Sequence, residues 1–148
     1  MKKIILILLL GISRLSYDAG AALSYAKRHC CTSCYNRNYN NYRNVGGDCA
    51  NFVSQCLAAG GLNLGGCGGT DNKGMIPGVS NLMNCLGAKG WKVNSKSFRA
   101  GHPFFKKNRS HAMLAGAVNG NTIQVYGHTN DRCGDITISR SEVYTYSP

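Results

Sequence analysis

Residues 46–60 read Gly-Gly-Asp-Cys-Ala-Asn-Phe-Val-Ser-Gln-Cys-Leu-Ala-Ala-Gly, a flexible turn running into an apolar helical pattern. Asp48 is a favoured N-cap residue, so Cys49 falls in the first helical turn, facing unpaired backbone N–H groups at the positive end of the dipole. That setting lowers a thiol's pKa and turns an inert sulfur into a nucleophile. The competing reading is a buried cysteine opening a core helix, or half of a disulfide. A thiolate nucleophile also needs a base within reach and a third group to orient that base. Four histidines are candidates: His29, His102, His111 and His128. His29 precedes a cysteine cluster and His102 precedes a proline, which suits structural or solvent-facing roles. His111 starts a strand-like run, where a side chain is held rigidly.

The run His111 to Val118 and the alternating run Thr122 to His128 flank Asn119-Gly120, a strong hairpin signal. A two-residue turn at Asn119-Gly120 sets His128 across from His111, and a turn at Gly120-Asn121 sets Asn130 there. Either register, with period-two alternation, is expected to bring His111, His128 and Asn130 to one sheet face. A three-residue loop would instead set Thr129 opposite His111.

The elements that must position these residues are legible in outline. Ser16 is expected to cap a helix to about Arg28, with Tyr17, Ala21, Ala22, Tyr25 and Ala26 on one stripe. A polar loop follows to Asn44, then the Cys49 helix, which ends at Gly60-Gly61. Ser80 is expected to cap a short helix to Leu86. From Trp91 onward the pattern is strand-like, and Asp135–Ser139 and Val143–Tyr146 are further candidate strands. Helices first and an antiparallel sheet afterwards give an α+β class in one domain. Residues 60–78 are glycine-rich but lack a phosphate-loop pattern, so no cofactor is implied.

Lys2 and Lys3, the apolar run Ile4–Leu10, and Gly11 and Ser13 predict a signal peptide over residues 1–13, with the domain spanning 14–148. The apolar run is far shorter than the roughly 20 residues of a bilayer span, so no membrane insertion is expected once it is removed. Eight cysteines suit an oxidising, extracellular compartment. Cys56 lies on the same helix face as Cys49 and reads as a buried free thiol. Cys30, Cys31, Cys34, Cys67, Cys85 and Cys133 remain as disulfide candidates, with their connectivity open. Zinc held by His29, Cys30, Cys31 and Cys34 is disfavoured, because a lone C-x-x-C has no second pair at metal spacing. The formal charge of +11 is spread from Lys27 to Arg140 with no basic stripe. That excludes a nucleic-acid footprint and favours loose attraction to anionic surfaces such as bacterial walls.

Gly-Asp-Cys-Ala-Asn-Phe-Val-Ser-Gln at 47–55 resembles the nucleophile motif of an amidase family among the NlpC-type and CHAP-type cysteine hydrolases. The likeness extends from the Tyr17 helix through Tyr25-Ala26 to His128-Thr129-Asn130-Asp131. It implies a papain-like α+β fold, N-terminal helices packed on a small antiparallel sheet, supported here by disulfides. It also implies an enzyme that cuts amide bonds, mostly in peptidoglycan; together with the leader, the cysteines and the glycine-rich loop, a secreted monomer without cofactor is expected. The nucleophile maps to Cys49 and the base to His111; the orienting position maps to Asn130 or His128. Asp48, Tyr42 and Asn44 are the candidates for contacts to substrate or oxyanion. Two features depart from the family pattern: His102 follows Gly101 where a Gly-Asp pair is usual, and Cys30–Cys34 is an unusual insert. An inactive disulfide-rich binding module, or a peptidase or deamidase acting on protein, are the alternatives.

Overall fold

A computed structural model describes residues 16–148. The expected leader lies outside the described residues. Three helices precede six strands: α1 (Ala19–His29), α2 (Cys49–Ala59), α3 (Val79–Ala88), β1 (Lys92–Asn94), β2 (Pro103–Lys106), β3 (Ala112–Asn119), β4 (Thr122–Gly127), β5 (Arg132–Ser139) and β6 (Val143–Ser147). The strands form one antiparallel sheet in the order β1-β6-β2-β3-β4-β5. The α+β class expected from the sequence is therefore the observed one.

α1 buries Ala22, Tyr25 and Ala26, the spacing that puts one helical face on a core. Its cap is Asp18 rather than Ser16: the carboxylate accepts from the Ala21 amide at 2.9 Å, and Lys27, Arg28 and His29 sit at the opposite end of the dipole. α3 likewise starts one residue before Ser80, after Gly78, with no side-chain cap. α2 is buried all round from Cys49 to Leu57, as a helix enclosed between layers must be. It stops where Gly61 turns left-handed, at φ 93°, and the Leu62 amide reaches back to the Leu57 carbonyl at 3.0 Å. The helices cover one face of the sheet through Phe105, Ala112, Leu114 and Tyr126. Phe104, Met113, Ala115, Ile123, Val125 and Val143 form a second cluster with Phe98.

The β3–β4 hairpin corrects the expected register. Its turn is Gly120-Asn121, with Asn119 opposite Thr122 and Val118 opposite Ile123, but a bulge follows and the later pairs are Ala115 with Val125 and Leu114 with Tyr126. Carried back along β3, that one-residue slip sets Thr129 opposite His111 and sends His128 to the other face. The bulge has a chemical cause. The Gln124 side chain accepts from the Ala117 amide at 3.0 Å and donates to the Gly134 carbonyl at 3.0 Å. It lies so close to Gly116 that a Cβ there would sit 2.4 Å from Gln124 Oε1 and 2.8 Å from the Tyr126 ring.

The six candidate cysteines pair as Cys30–Cys133, Cys31–Cys34 and Cys67–Cys85. The first ties the end of α1 to β5, the second spans the short 3-10 turn Thr32–Cys34, and the third ties the glycine-rich loop to α3. Cys30, Cys31 and Cys34 are thus spent as sulfur–sulfur bonds rather than available as thiolate ligands. Cys49 and Cys56 are free and buried.

Gly116→Ala is expected to lower the unfolding free energy by about 1–3 kcal/mol, because the new methyl must displace a doubly hydrogen-bonded Gln124. Urea denaturation checks this, and an unmoved midpoint would contradict the packing account of the bulge.

Candidate functional site

The polar residues of the Cys49 motif are buried fasteners. Asn51 donates from one amide group to the Asn40 carbonyl and to Asp48 Oδ1, both at 2.8 Å. Ser54 accepts from the Ile76 amide at 3.1 Å. Gln55 accepts from the Tyr25 hydroxyl at 2.7 Å. The loop before α2, the loop before α3 and α1 are each pinned to the helix that carries Cys49. Burying such groups is costly unless they are paired, and here each pairing fixes a wall of the site.

Asp48 and His128 form the most enclosed titratable side-chain pair among the described residues. His128 Nδ1 lies 2.5 Å from Asp48 Oδ2, and both side chains are almost wholly inaccessible. Asp48 Oδ1 accepts from the Tyr42 amide at 2.9 Å and from Asn51, so the carboxylate faces N–H groups on both oxygens. His128 Nε2 lies 2.6 Å from the His29 carbonyl. Both ring nitrogens thus face oxygen atoms and are engaged within the fold. Tyr35 stacks on one side of the ring at 3.7 Å and Phe52 on the other at 4.0 Å, so the ring is held on both faces as well as at both nitrogens.

This arrangement sets Asp48, His128, Tyr42 and Asn44 in surroundings that differ from those expected. Asp48 sits at the head of α2 but makes no capping bond, because its oxygens are held by Tyr42, Asn51 and His128; it is closed to substrate. His128 has no nitrogen left to orient His111. Tyr42 donates its hydroxyl to Asp71 at 2.8 Å, and the exposed Asn44 does not line the cleft that holds Cys49. Neither is placed as an oxyanion donor. Thr129, which the hairpin arithmetic placed opposite His111 only for a longer loop, has a specific task. Its Oγ1 accepts from the Asp48 amide at 2.9 Å, joining the end of β4 to the start of α2.

Cys49 opens into a cleft shared with Gly47, Gly78, Arg109 and Ser110. His111 lines an adjoining cleft with Ser110, Thr129, Asn130 and Lys106. Ser110 borders both, and the Cys49 thiol lies against the backbone of Ala112, the residue after His111. Cys49 and the His111–Asn130 pair thus line two neighbouring clefts that share Ser110, the second built over Met113, Val125 and Ile136 of the sheet's other face, while His128 lies buried outside both. No hydrogen bond joins Cys49 to His111 among the described residues. Asn130 is exposed, with a left-handed backbone at φ 68° following Thr129 at 62°.

The electrostatics also differ from the expectation at Cys49. Burial pushes the thiol up from its ordinary value; the backbone N–H groups of Ala112, Ala50 and Cys49 act the other way without prevailing, and the Asp48 carboxylate adds to the rise. His111 moves down, first through burial and then through the charge of Lys106. Thiol and imidazole are thus both shifted toward their neutral forms. That combination suits base-assisted deprotonation as the thiol attacks, rather than a standing ion pair.

The sequence model described as a putative amidase domain matches residues 16–104, more than half of the chain. This chain belongs to that family. The match takes in α1, the Cys49 motif and the start of β2, and ends ahead of His111. Membership points to amide-bond hydrolysis as the general activity of this amidase domain. No curated protein and no solved structure matches the chain.

The raised thiol gives a direct test. A raised pKa means that thiolate is scarce at neutral pH and accumulates only as the pH climbs past the value of an ordinary thiol. Alkylation of Cys49 by iodoacetamide, followed by intact mass, is expected to accelerate with a midpoint above 9.0, the ordinary thiol value. A rate already level below pH 7 would show a preformed thiolate–imidazolium pair and contradict this reading.

Proposed function

We propose that this amidase domain is a secreted, monomeric cysteine hydrolase of papain-like fold that cuts amide bonds in bacterial peptidoglycan. What supports the proposal is an unpaired Cys49 at the head of a buried helix, in a cleft that borders, at Ser110, the one lined by His111 and Asn130. In the proposed reaction, the Cys49 proton passes to His111 as the sulfur attacks the substrate carbonyl carbon. The carbonyl oxygen becomes an oxyanion, for which the Cys49 backbone N–H is the donor. As the intermediate collapses, the C–N bond breaks and His111 gives its proton to the departing amine. Water, deprotonated by His111, then attacks the thioester carbon; the C–S bond breaks, the acid product leaves, and His111 returns its proton to the Cys49 sulfur. In this reading Asn130 orients His111, since both ring nitrogens of His128 are engaged elsewhere.

Several features support the finer parts of this reading. The disulfides suit an oxidising compartment, as does the leader-like sequence of residues 1–13. The formal charge of +11 suits an anionic wall polymer. The resemblance of residues 47–55 to wall-cutting cysteine hydrolases supplies the substrate class. One observation favours the rival, an inactive binding module: Cys49 carries a raised thiol with no hydrogen bond to a base.

The experiment that separates the two is Cys49→Ala on purified cell walls. The variant is expected to lose hydrolysis, read as new amines and as released fragments by mass spectrometry, with its thermal midpoint nearly unchanged. Lysis by the variant at the wild-type rate would contradict a cysteine nucleophile.

A further inference from the structure

The distribution of charge around the two clefts is uneven in a way that net charge does not require. The sequence has 17 Lys and Arg against 6 Asp and Glu, and every aspartate is already engaged. Asp18 caps α1, Asp48 holds His128, Asp71 holds Tyr42, Asp131 holds Tyr35 and Asp135 holds Arg132. No carboxylate lines either the Cys49 cleft or the His111 cleft, whereas Arg109 lines the first, and Lys106 and Arg132 line the second.

Arg132 is offset by Asp135, 3.3 Å away. Lys106 and Arg109 are exposed and have no ion-pair partner among the described residues. Their backbone is not loose. The Lys106 amide donates to the His111 carbonyl at 3.1 Å and the Arg109 amide to the Lys106 carbonyl at 2.9 Å. This tight turn leaves Arg109 left-handed, at φ 59°. Two cations are thus carried at the clefts by the same turn that delivers His111, and the Lys106 charge already acts on that ring. A cleft walled by one sign of charge concentrates ligands of the other.

We infer that Arg109 and Lys106 form an anion-reading rim, and that the clefts take amide substrates bearing a carboxylate beside the bond to be cut. This inference rests on the reading that the Cys49 cleft is the substrate cleft, but its test requires no turnover. Iodoacetate and iodoacetamide alkylate the same thiol and differ in charge. The ratio of their rates at Cys49, read by intact mass and peptide mapping, is compared with the ratio for cysteine in a short neutral peptide.

The wild-type ratio is expected to exceed the peptide's by about threefold or more and to shrink as salt is added. Arg109→Gln combined with Lys106→Gln is expected to return it to the peptide's value. A wild-type ratio no higher than the peptide's overturns the inference, as does a raised ratio that survives the double substitution or a Cys49 closed to both reagents. Should the preference hold while no amide is cut, the hydrolase proposal fails and the anion rim stands.

Discussion

The carboxylate of Asp48 and the ring of His128 lie 2.5 Å apart in a site nearly closed to water, and the positions of the candidate reactive groups follow from that contact. Around it meet the end of α1 through the His29 carbonyl, the polar loop through the Tyr42 amide and the Tyr35 ring, and the head of α2 through Asp48 itself. The residue after His128 then receives the Asp48 amide. A buried pair of this kind adds little net stability compared with apolar packing, but leaving one partner alone costs about 3–5 kcal/mol. Its value here is positional. It allows the end of β4 and the start of α2 to meet in one way only, and Cys49 is the next residue along.

The same logic explains why so many polar groups lie within α2. Asn51, Ser54 and Gln55 each face a different neighbour, so the helix cannot rotate or slide without leaving buried groups unpaired. The consequence for chemistry is mixed. Rigid burial holds the thiol against the β3 backbone, yet burial also makes the thiolate costly and keeps His111 neutral. In the proposed mechanism the charge separation occurs during attack, where a substrate oxyanion shares the helix-end amides.

Much of this was legible in the sequence because it depends on local rules. Cys49 stands at the head of a buried helix, the apolar stripe of α1 is buried as spaced, and a hairpin joins β3 to β4. The two cysteines set apart from the disulfide candidates are the two that are free. What was not legible depends on long-range contacts. Gly116 and Gln124 create a bulge that no turn signal announces, and one residue of slip moves His128 from beside His111 to the opposite face. Once there, it meets Asp48, 80 residues away. The helix-end rule for thiols failed for a related reason: the first turn of α2 is covered by the sheet, and desolvation outweighs the amides. The disulfide connectivity likewise needed the meeting of α1 with β5.

In the proposed mechanism the two histidines divide the labour: His111 moves protons and His128 only holds the site together. Histidine-to-asparagine substitution at each position, with kcat/KM on an amide substrate and the thermal midpoint measured on both variants, tests it most directly. His111→Asn is expected to lose about a hundredfold or more in kcat/KM at a nearly unchanged midpoint, whereas His128→Asn shows a large drop in midpoint. A fully stable but inactive His128→Asn beside an active His111→Asn would contradict it.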